Sequence, residues 1–211
     1  MLNVVLICLV VVSLVVGLFI LSPVSLNGPA KPTERGVGVA PGPGDRTLHE
    51  AACEGDLATV RSYLDRGVDP NITTAGGSPI LHVATEHDAP EVVELLLRRG
   101  ADPNANAFAS DPIGRSPLHR AVSAGSVECA RVLLRHGADV NATTGTGRTP
   151  LHAAAHAGAA DYAAFLIEQG ADPTLEDREG CTAYDLATEL GHDDVADVLS
   201  QHDAETEAPA G

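Results

Sequence analysis

Four histidines recur along the chain at nearly constant spacing, and histidine is a frequent metal ligand and acid–base catalyst. His49, His82, His119 and His152 are separated by 33, 37 and 33 residues. They belong to separate copies of a repeat rather than to one cluster. His152 and His156 have the i, i+4 spacing of a zinc-protease helix, but only alanines lie between them, so the glutamate base is missing. We therefore predict no metal site and no cofactor.

The other reactive residue types show no catalytic arrangement either. The sequence contains no GxSxG elbow, no P-loop and no GxGxxG after a strand. Cys8, Cys53, Cys129 and Cys181 form no CxxC pair, which argues against a zinc site and a disulfide scaffold. We predict a protein that is not an enzyme and has no small-molecule substrate. The competing hypothesis, a hydrolase on the same scaffold, would require a clustered nucleophile, base and orienting group.

The chain is strongly acidic, with 29 Asp and Glu against 13 Lys and Arg and a formal net charge of −16. This charge repels phosphate backbones, so nucleic acid is excluded as the expected partner. Twelve of the acids lie between Asp172 and Glu207, where Arg178 is the one basic residue. This run is either a solvated face, the commoner case, or a docking surface for a basic partner.

The first residues form a long apolar segment. No charged side chain precedes Lys31, and Val4–Leu21 is apolar except for Ser13 and Gly17. Counted from Leu2, the run spans about 30 Å as a helix, which is the thickness of a bilayer core. We predict a transmembrane helix over residues 1–21 that acts as a signal anchor.

A cleaved signal peptide is the alternative for this segment. It requires a basic start and a shorter apolar core, although Gly28-Pro29-Ala30 offers a small-x-small cleavage pattern. Lys31 and Arg35 follow the helix and no basic residue precedes it, which favours the cytoplasmic side for the rest of the chain. This indication rests on two charges, one of them offset by Glu34. Residues 22–44 are rich in proline and glycine and are expected to be a flexible linker.

A repeat of about 33 residues occupies the remainder of the chain. Asp185 follows His152 after a further 33 residues and takes the histidine position in a fifth copy. A glycine lies five residues before each of these five positions, and an alanine lies two residues after each: Gly44, Gly77, Gly114, Gly147 and Gly180; Ala51, Ala84, Ala121, Ala154 and Ala187. Leu133 and Leu134, in the middle copy, are expected to contact both neighbours.

The clearest copy, GRTPLHAAAHAGAADYAAFLIEQGADPT, runs from Gly147 to Thr174. Thr149 is a good helix N-cap, and Pro150 suits the first helical position because its missing N–H costs nothing there. Gly158 ends the first short helix, and Gly170 supplies a left-handed residue after the second. One helix pair cannot bury its own apolar face, so the copies must stack.

This copy resembles the ankyrin repeat, which shares the 33-residue period and the T-P-L-H-x-A core. The resemblance implies an all-α solenoid of five helix-turn-helix units over residues 45–202, followed by a disordered acidic tail over 203–211. It also implies that the recurring histidine bonds to backbone in the turns. Departures cluster in the end units, where Arg46-Thr47 replaces Thr-Pro and Tyr184-Asp185 replaces Leu-His, as expected of caps. In unit two, Pro79-Ile80 is shifted by one residue, which predicts a distorted first helix.

The resemblance further implies a protein-binding scaffold that uses the turn tips and the inner faces of the first helices. The corresponding positions are Ser78, Glu86, His87, Phe108, Arg115, Arg148, His156, Arg178 and Glu179. Phe108 lies on a lengthened turn and has no obvious place in the alanine-rich core, so we expect it to be exposed. The leading hypothesis is a membrane-tethered adaptor for a protein partner. The alternative is an exported soluble protein that binds or protects an envelope enzyme after signal cleavage.

Overall fold

A computed structural model describes residues 47–107 and 109–206. The predicted transmembrane helix and linker, Phe108 and residues 207–211 lie outside this part. Among the described residues, no helix is both long and apolar enough to cross a membrane. The predicted all-helical solenoid is confirmed over this part: helices form five successive pairs, and no strand is present beyond an isolated bridge between Thr73 and Pro79.

Each pair consists of a short first helix and an antiparallel second helix. The ten described helices are α1 (Leu48–Cys53), α2 (Leu57–Asp65), α3 (Ile80–Glu86), α4 (Pro90–Arg98), α5 (Pro117–Ala124), α6 (Val127–Arg135), α7 (Pro150–Ala157), α8 (Ala160–Glu168), α9 (Ala183–Leu190) and α10 (Asp193–Thr206). We number the pairs as units one to five. The last helix continues past the boundary predicted at residue 202.

The core is a continuous column of small and branched side chains at repeating positions. The recurring alanines of the first helices are fully buried, and so are leucines of the second helices from unit two onward: Ala51, Ala84, Ala121, Ala154 and Ala187; Leu96, Leu133, Leu166 and Leu199. Because alanine projects little, neighbouring first helices such as α5, α7 and α9 pack directly on one another. Leu134 is only half-buried, so it is less enclosed than the sequence predicted.

The predicted caps of unit four are present. The Thr149 hydroxyl accepts the backbone N–H of His152, and Pro150 is the first residue of α7. Gly158 adopts φ of 65° at the end of α7, a left-handed conformation that glycine takes without steric cost. These features set where the helix begins and where the chain turns into α8.

Unit one departs from the predicted register. Its first helix is capped by Thr47, and the third helical residue is Glu50, whose carboxylate accepts the Thr47 N–H at 2.9 Å. The helix therefore begins one residue late, and His49 is exposed and lies 3.9 Å from the Cys53 sulfur. The expectation that His49 bonds to backbone in the turn is wrong, because the cap residue has moved.

The sequence predicts a distorted first helix in unit two; the structure shows an α-helix over Ile80–Glu86 that differs from those of the other units at its two ends. Pro79 occupies the N-cap and offers neither a hydroxyl nor an N–H, so α3 has no side-chain cap. The buried Nδ1 atom of His82 consequently has no hydrogen-bond partner. At the other end, Asp88 takes the place of the usual glycine and adopts φ of 51°.

Candidate protein-binding surface

Histidines of three units join each first helix to the following turn. Nε2 of His119 donates to the Arg148 carbonyl at 3.0 Å, and Nε2 of His152 donates to the Cys181 carbonyl at 3.0 Å. His82 makes the same kind of bond to Ala105. Burial lowers the pKa of His119 to about 4, and it also lowers the pKa of His82. These two rings are therefore neutral near pH 7, and they fix the position of the tips rather than offering charge to a ligand.

A buried acid shapes the tip of unit five. The Asp177 side chain is only 2% exposed, and its Oδ2 accepts from Nε of Arg148 at 3.0 Å. Its Oδ1 accepts the N–H groups of Glu179 at 2.9 Å and Cys181 at 3.2 Å. Burial alone would raise the pKa of this carboxyl, but these hydrogen bonds outweigh it and the pKa is lowered. Asp177 is thus ionised near pH 7 and fixes the Arg148 guanidinium at the surface.

A second buried acid, Asp111, lies in the turn before α5 and binds arginines. Asp111 accepts from Arg115 at 3.3 Å and from Arg120 at 3.2 Å. Arg120 also lies 3.8 Å from Glu86 of unit two. This turn is four residues longer than its counterparts, which accounts for the 37-residue spacing between His82 and His119, and it is tied both to its own helix and to the preceding unit.

The tips of units three to five are joined through their backbones. The Gly145 N–H donates to the Ile113 carbonyl at 2.7 Å, and the Arg178 N–H donates to the Thr146 carbonyl at 3.0 Å. Gly147 lies at this contact with φ of 82°, and a Cβ atom there would lie 3.0 Å from the Arg178 nitrogen. The close approach therefore requires glycine, and the three tips form one continuous edge.

A groove of about 620 Å³ runs below this edge, along the inner faces of α5 and α7. Five residues predicted from the sequence to bind a partner line it: Arg115, Arg148, His156, Arg178 and Glu179. Small side chains form part of its floor: Ser123, Ala153 and Ala157. The structure thus brings together, within three units, positions that the sequence spreads over 65 residues.

The other predicted binding residues lie away from the groove lining or outside the described part. Glu86 and His87 are exposed at the end of α3, and Ser78 is half-buried, its N–H donating to the Thr74 hydroxyl at 3.2 Å. Phe108 lies outside the described residues. Unit two therefore contributes a separate part of the inner surface.

Sequence reasoning missed the residues that hold the groove in shape. These residues share one repeat position, three residues before the glycine of each tip (Gly114, Gly147 or Gly180): Asp111, Thr144 and Asp177. The side chains of Thr144 and Asp177 each accept the backbone N–H four residues later. This alignment was visible in the repeat, but an isolated acid in an acidic chain resembles a solvated charge. Only the tertiary structure shows that Asp111 and Asp177 are buried.

Across the two described segments, no group of three or more His, Cys, Asp or Glu residues is arranged to hold a metal ion. Burial raises the pKa of Cys129 to about 11, so this thiol stays protonated near pH 7. The groove lining consists of arginine, histidine, threonine and small side chains, together with Ile113 and the acids Asp177 and Glu179.

Two family models match consecutive parts of the chain. One describes ankyrin repeats in three copies and matches residues 48–144, and the other describes ankyrin repeats in many copies and matches residues 133–187. The chain is an ankyrin-repeat protein. Ankyrin repeats imply a role in protein–protein interaction, and ankyrin-repeat proteins are typically binding scaffolds rather than enzymes.

Two curated relatives share the ankyrin repeats over limited regions. A protein described as a probable E3 ubiquitin-protein ligase from Oryza sativa subsp. japonica is 38% identical over 88 residues, which cover 41% of this chain and 16% of that protein. An ankyrin repeat protein of fowlpox virus (strain NVSL) is 32% identical over 72 residues, covering 34% of this chain and 9% of that protein. This chain therefore corresponds to a small fraction of either relative.

Proposed function

We propose that this protein is a membrane-tethered scaffold whose ankyrin repeats hold a protein partner in the groove of units three to five. The observation that carries the proposal is the convergence of Arg115, Arg148, His156, Arg178 and Glu179 on one groove. A surface spread over three rigidly stacked units suits recognition of a macromolecule. The chain would act by binding, without catalysing a reaction.

The tether is supported by the amino-acid sequence. The apolar run from Val4 to Leu21 has the length of a bilayer core, and no charge precedes Lys31. The basic residues that follow favour a single-pass arrangement with the repeats on the cytoplasmic side. A proline- and glycine-rich linker over residues 22–44 would let the repeats reach a partner at some distance from the bilayer.

Fractionation tests the tether. Full-length protein should stay in the membrane pellet after high-salt and alkaline washes, and a chain that begins at Gly44 should be released. Intact full-length protein in the wash would contradict the anchor. A mature N-terminus at Lys31 would support the alternative, an exported ankyrin-repeat protein that binds or protects an envelope enzyme.

Affinity capture from membranes tests the binding role. The double variant H156E/R178E alters two exposed groove residues, and Arg61→Glu on α2 makes a comparable charge change far from the groove. The wild type and R61E should recover the same partner, and H156E/R178E should lose it. Equal recovery by all three proteins would place binding elsewhere.

A further inference from the structure

We propose that the groove of units three to five binds an extended partner segment rich in aspartate and glutamate. This inference rests on the scaffold function proposed above and adds the chemistry of the partner. Its basis is the distribution of positive charge in an otherwise acidic chain, together with the way the tip arginines are held.

The described residues contain ten arginines and no lysine, and they fall into two groups. Six lie in second helices or at their ends: Arg61, Arg66, Arg98, Arg99, Arg131 and Arg135. The other four belong to the tips and the first helix of units three to five: Arg115, Arg120, Arg148 and Arg178. The groove lining carries Arg115, Arg148 and Arg178 against two acids, Asp177 and Glu179, so it is slightly positive in a protein of net charge −16.

Two of the groove arginines are positioned before any ligand arrives. The buried carboxylate of Asp177 holds Arg148, whose side chain is still 36% exposed and whose Nη2 atom lies 3.7 Å from the exposed carboxylate of Glu179. Asp111 holds Arg115 in the same manner, also with part of the side chain exposed. A guanidinium that is already held loses less conformational freedom when it pairs with a ligand carboxylate.

The polar side-chain groups of Arg178 and His156 are available to a ligand. Both side chains are exposed in the groove wall. Within the described part of the chain, Arg178 has no ion pair and His156 has no hydrogen-bonded side-chain partner. Arg178 is therefore the most direct contact for an incoming carboxylate, and it lies beside the fixed Arg148.

The floor of the groove suits an extended backbone. Ser123, Ala153 and Ala157 are small, so a chain can approach the first helices closely while its side chains reach the tip arginines. A basic segment would face Arg178, which has no ion pair within the described residues, beside the partly exposed Arg115 and Arg148. Charge complementarity therefore favours an acidic occupant.

Selection from a random decapeptide library tests the proposal, using the full-length protein in detergent micelles as bait. Peptides that bind the wild type should be enriched in Asp and Glu relative to the input. The affinity for a selected peptide should decrease stepwise from the wild type to R178Q to R178E. R178E should bind about three- to tenfold more weakly than the wild type, because an exposed ion pair is replaced by repulsion. R61E should leave affinity within about twofold.

Each contrary result overturns the acidic-segment proposal. Examples are enrichment of basic or uncharged peptides, recovery of no peptide, and equal affinity across the Arg178 series. The scaffold function is judged separately by capture of the partner from membranes. If a partner is captured through the groove but the selected peptides show no preference for acidic residues, the scaffold function stands and only the acidic-segment proposal is rejected.

Discussion

The Nε2 atom of His119 in unit three lies 3.0 Å from the carbonyl oxygen of Arg148 in unit four. The same ring accepts the Ser116 N–H at Nδ1, which requires a neutral imidazole, and burial holds the pKa of His119 at about 4. Protonation would place a charge in that buried site. The buried site that joins these two units is therefore sensitive to acid.

We expect the free energy of unfolding to decrease as pH falls from about 6.5 towards 4. The folded-state pKa of His119 lies below its unfolded value, so the unfolded chain binds the proton first and acid favours unfolding. This one residue accounts for a change on the order of 3 kcal/mol, at roughly 1.36 kcal/mol per pKa unit. Urea unfolding across this range measures the slope, and His119→Gln should flatten it. An unchanged slope in H119Q would contradict the assignment.

Truncation in the core should cost far more than truncation on the outer face. Leu133→Ala removes a fully buried side chain between two neighbouring units, so it should cost about 2–5 kcal/mol. Leu134→Ala should cost less because Leu134 is half-buried, and Ser200→Ala, on the exposed side of α10, should cost under about 0.5 kcal/mol. Denaturant unfolding tests the ranking. Similar losses in the free energy of unfolding for L133A and S200A would contradict the packing of Leu133 between neighbouring units.

Pro79→Thr should stabilise unit two. The new hydroxyl would cap α3 and bond to Nδ1 of His82, as Thr149 does for His152 in unit four. Restoring a cap is worth about 1 kcal/mol, which offsets the roughly 0.4–1 kcal/mol lost with the rigidity of proline, and the hydrogen bond gained by the buried His82 Nδ1 atom supplies the net stabilisation. Pro79→Ala is the matched control and should destabilise. A melting temperature that falls equally in both variants would refute the capping argument.

Phe108→Ala tests the turn with the four extra residues. The sequence predicts an exposed aromatic residue there, so the melting temperature should stay nearly unchanged while partner binding weakens by at least about 1 kcal/mol. Arg115→Glu, near the same turn, should weaken binding of an acidic segment further. A lower melting temperature with unchanged affinity would mean that Phe108 packs on a neighbouring turn, and this would remove it from the site.

The helix pairs and the buried alanines could be predicted from the sequence, because helix caps, turns and small residues all recur together with a period of about 33 residues. Prediction from the sequence failed for His49, where a change of capping residue moved the helix start by one position. It could not separate Leu133 from Leu134, since the inward direction of adjacent helical residues depends on how the helix is rotated against its neighbours. The buried carboxylates of Asp111 and Asp177 likewise required the tertiary structure.

The backbone bonds from Gly145 to Ile113 and from Arg178 to Thr146 have a thermodynamic consequence. In a solenoid, each unit is normally stabilised only by contacts with its nearest neighbours. Local unfolding can therefore begin at an end and proceed unit by unit. Units three to five share a continuous edge, and a ligand along the groove would contact all three. Its binding free energy would therefore oppose fraying from the C-terminal end, so that partner occupancy and the integrity of the last three units are linked.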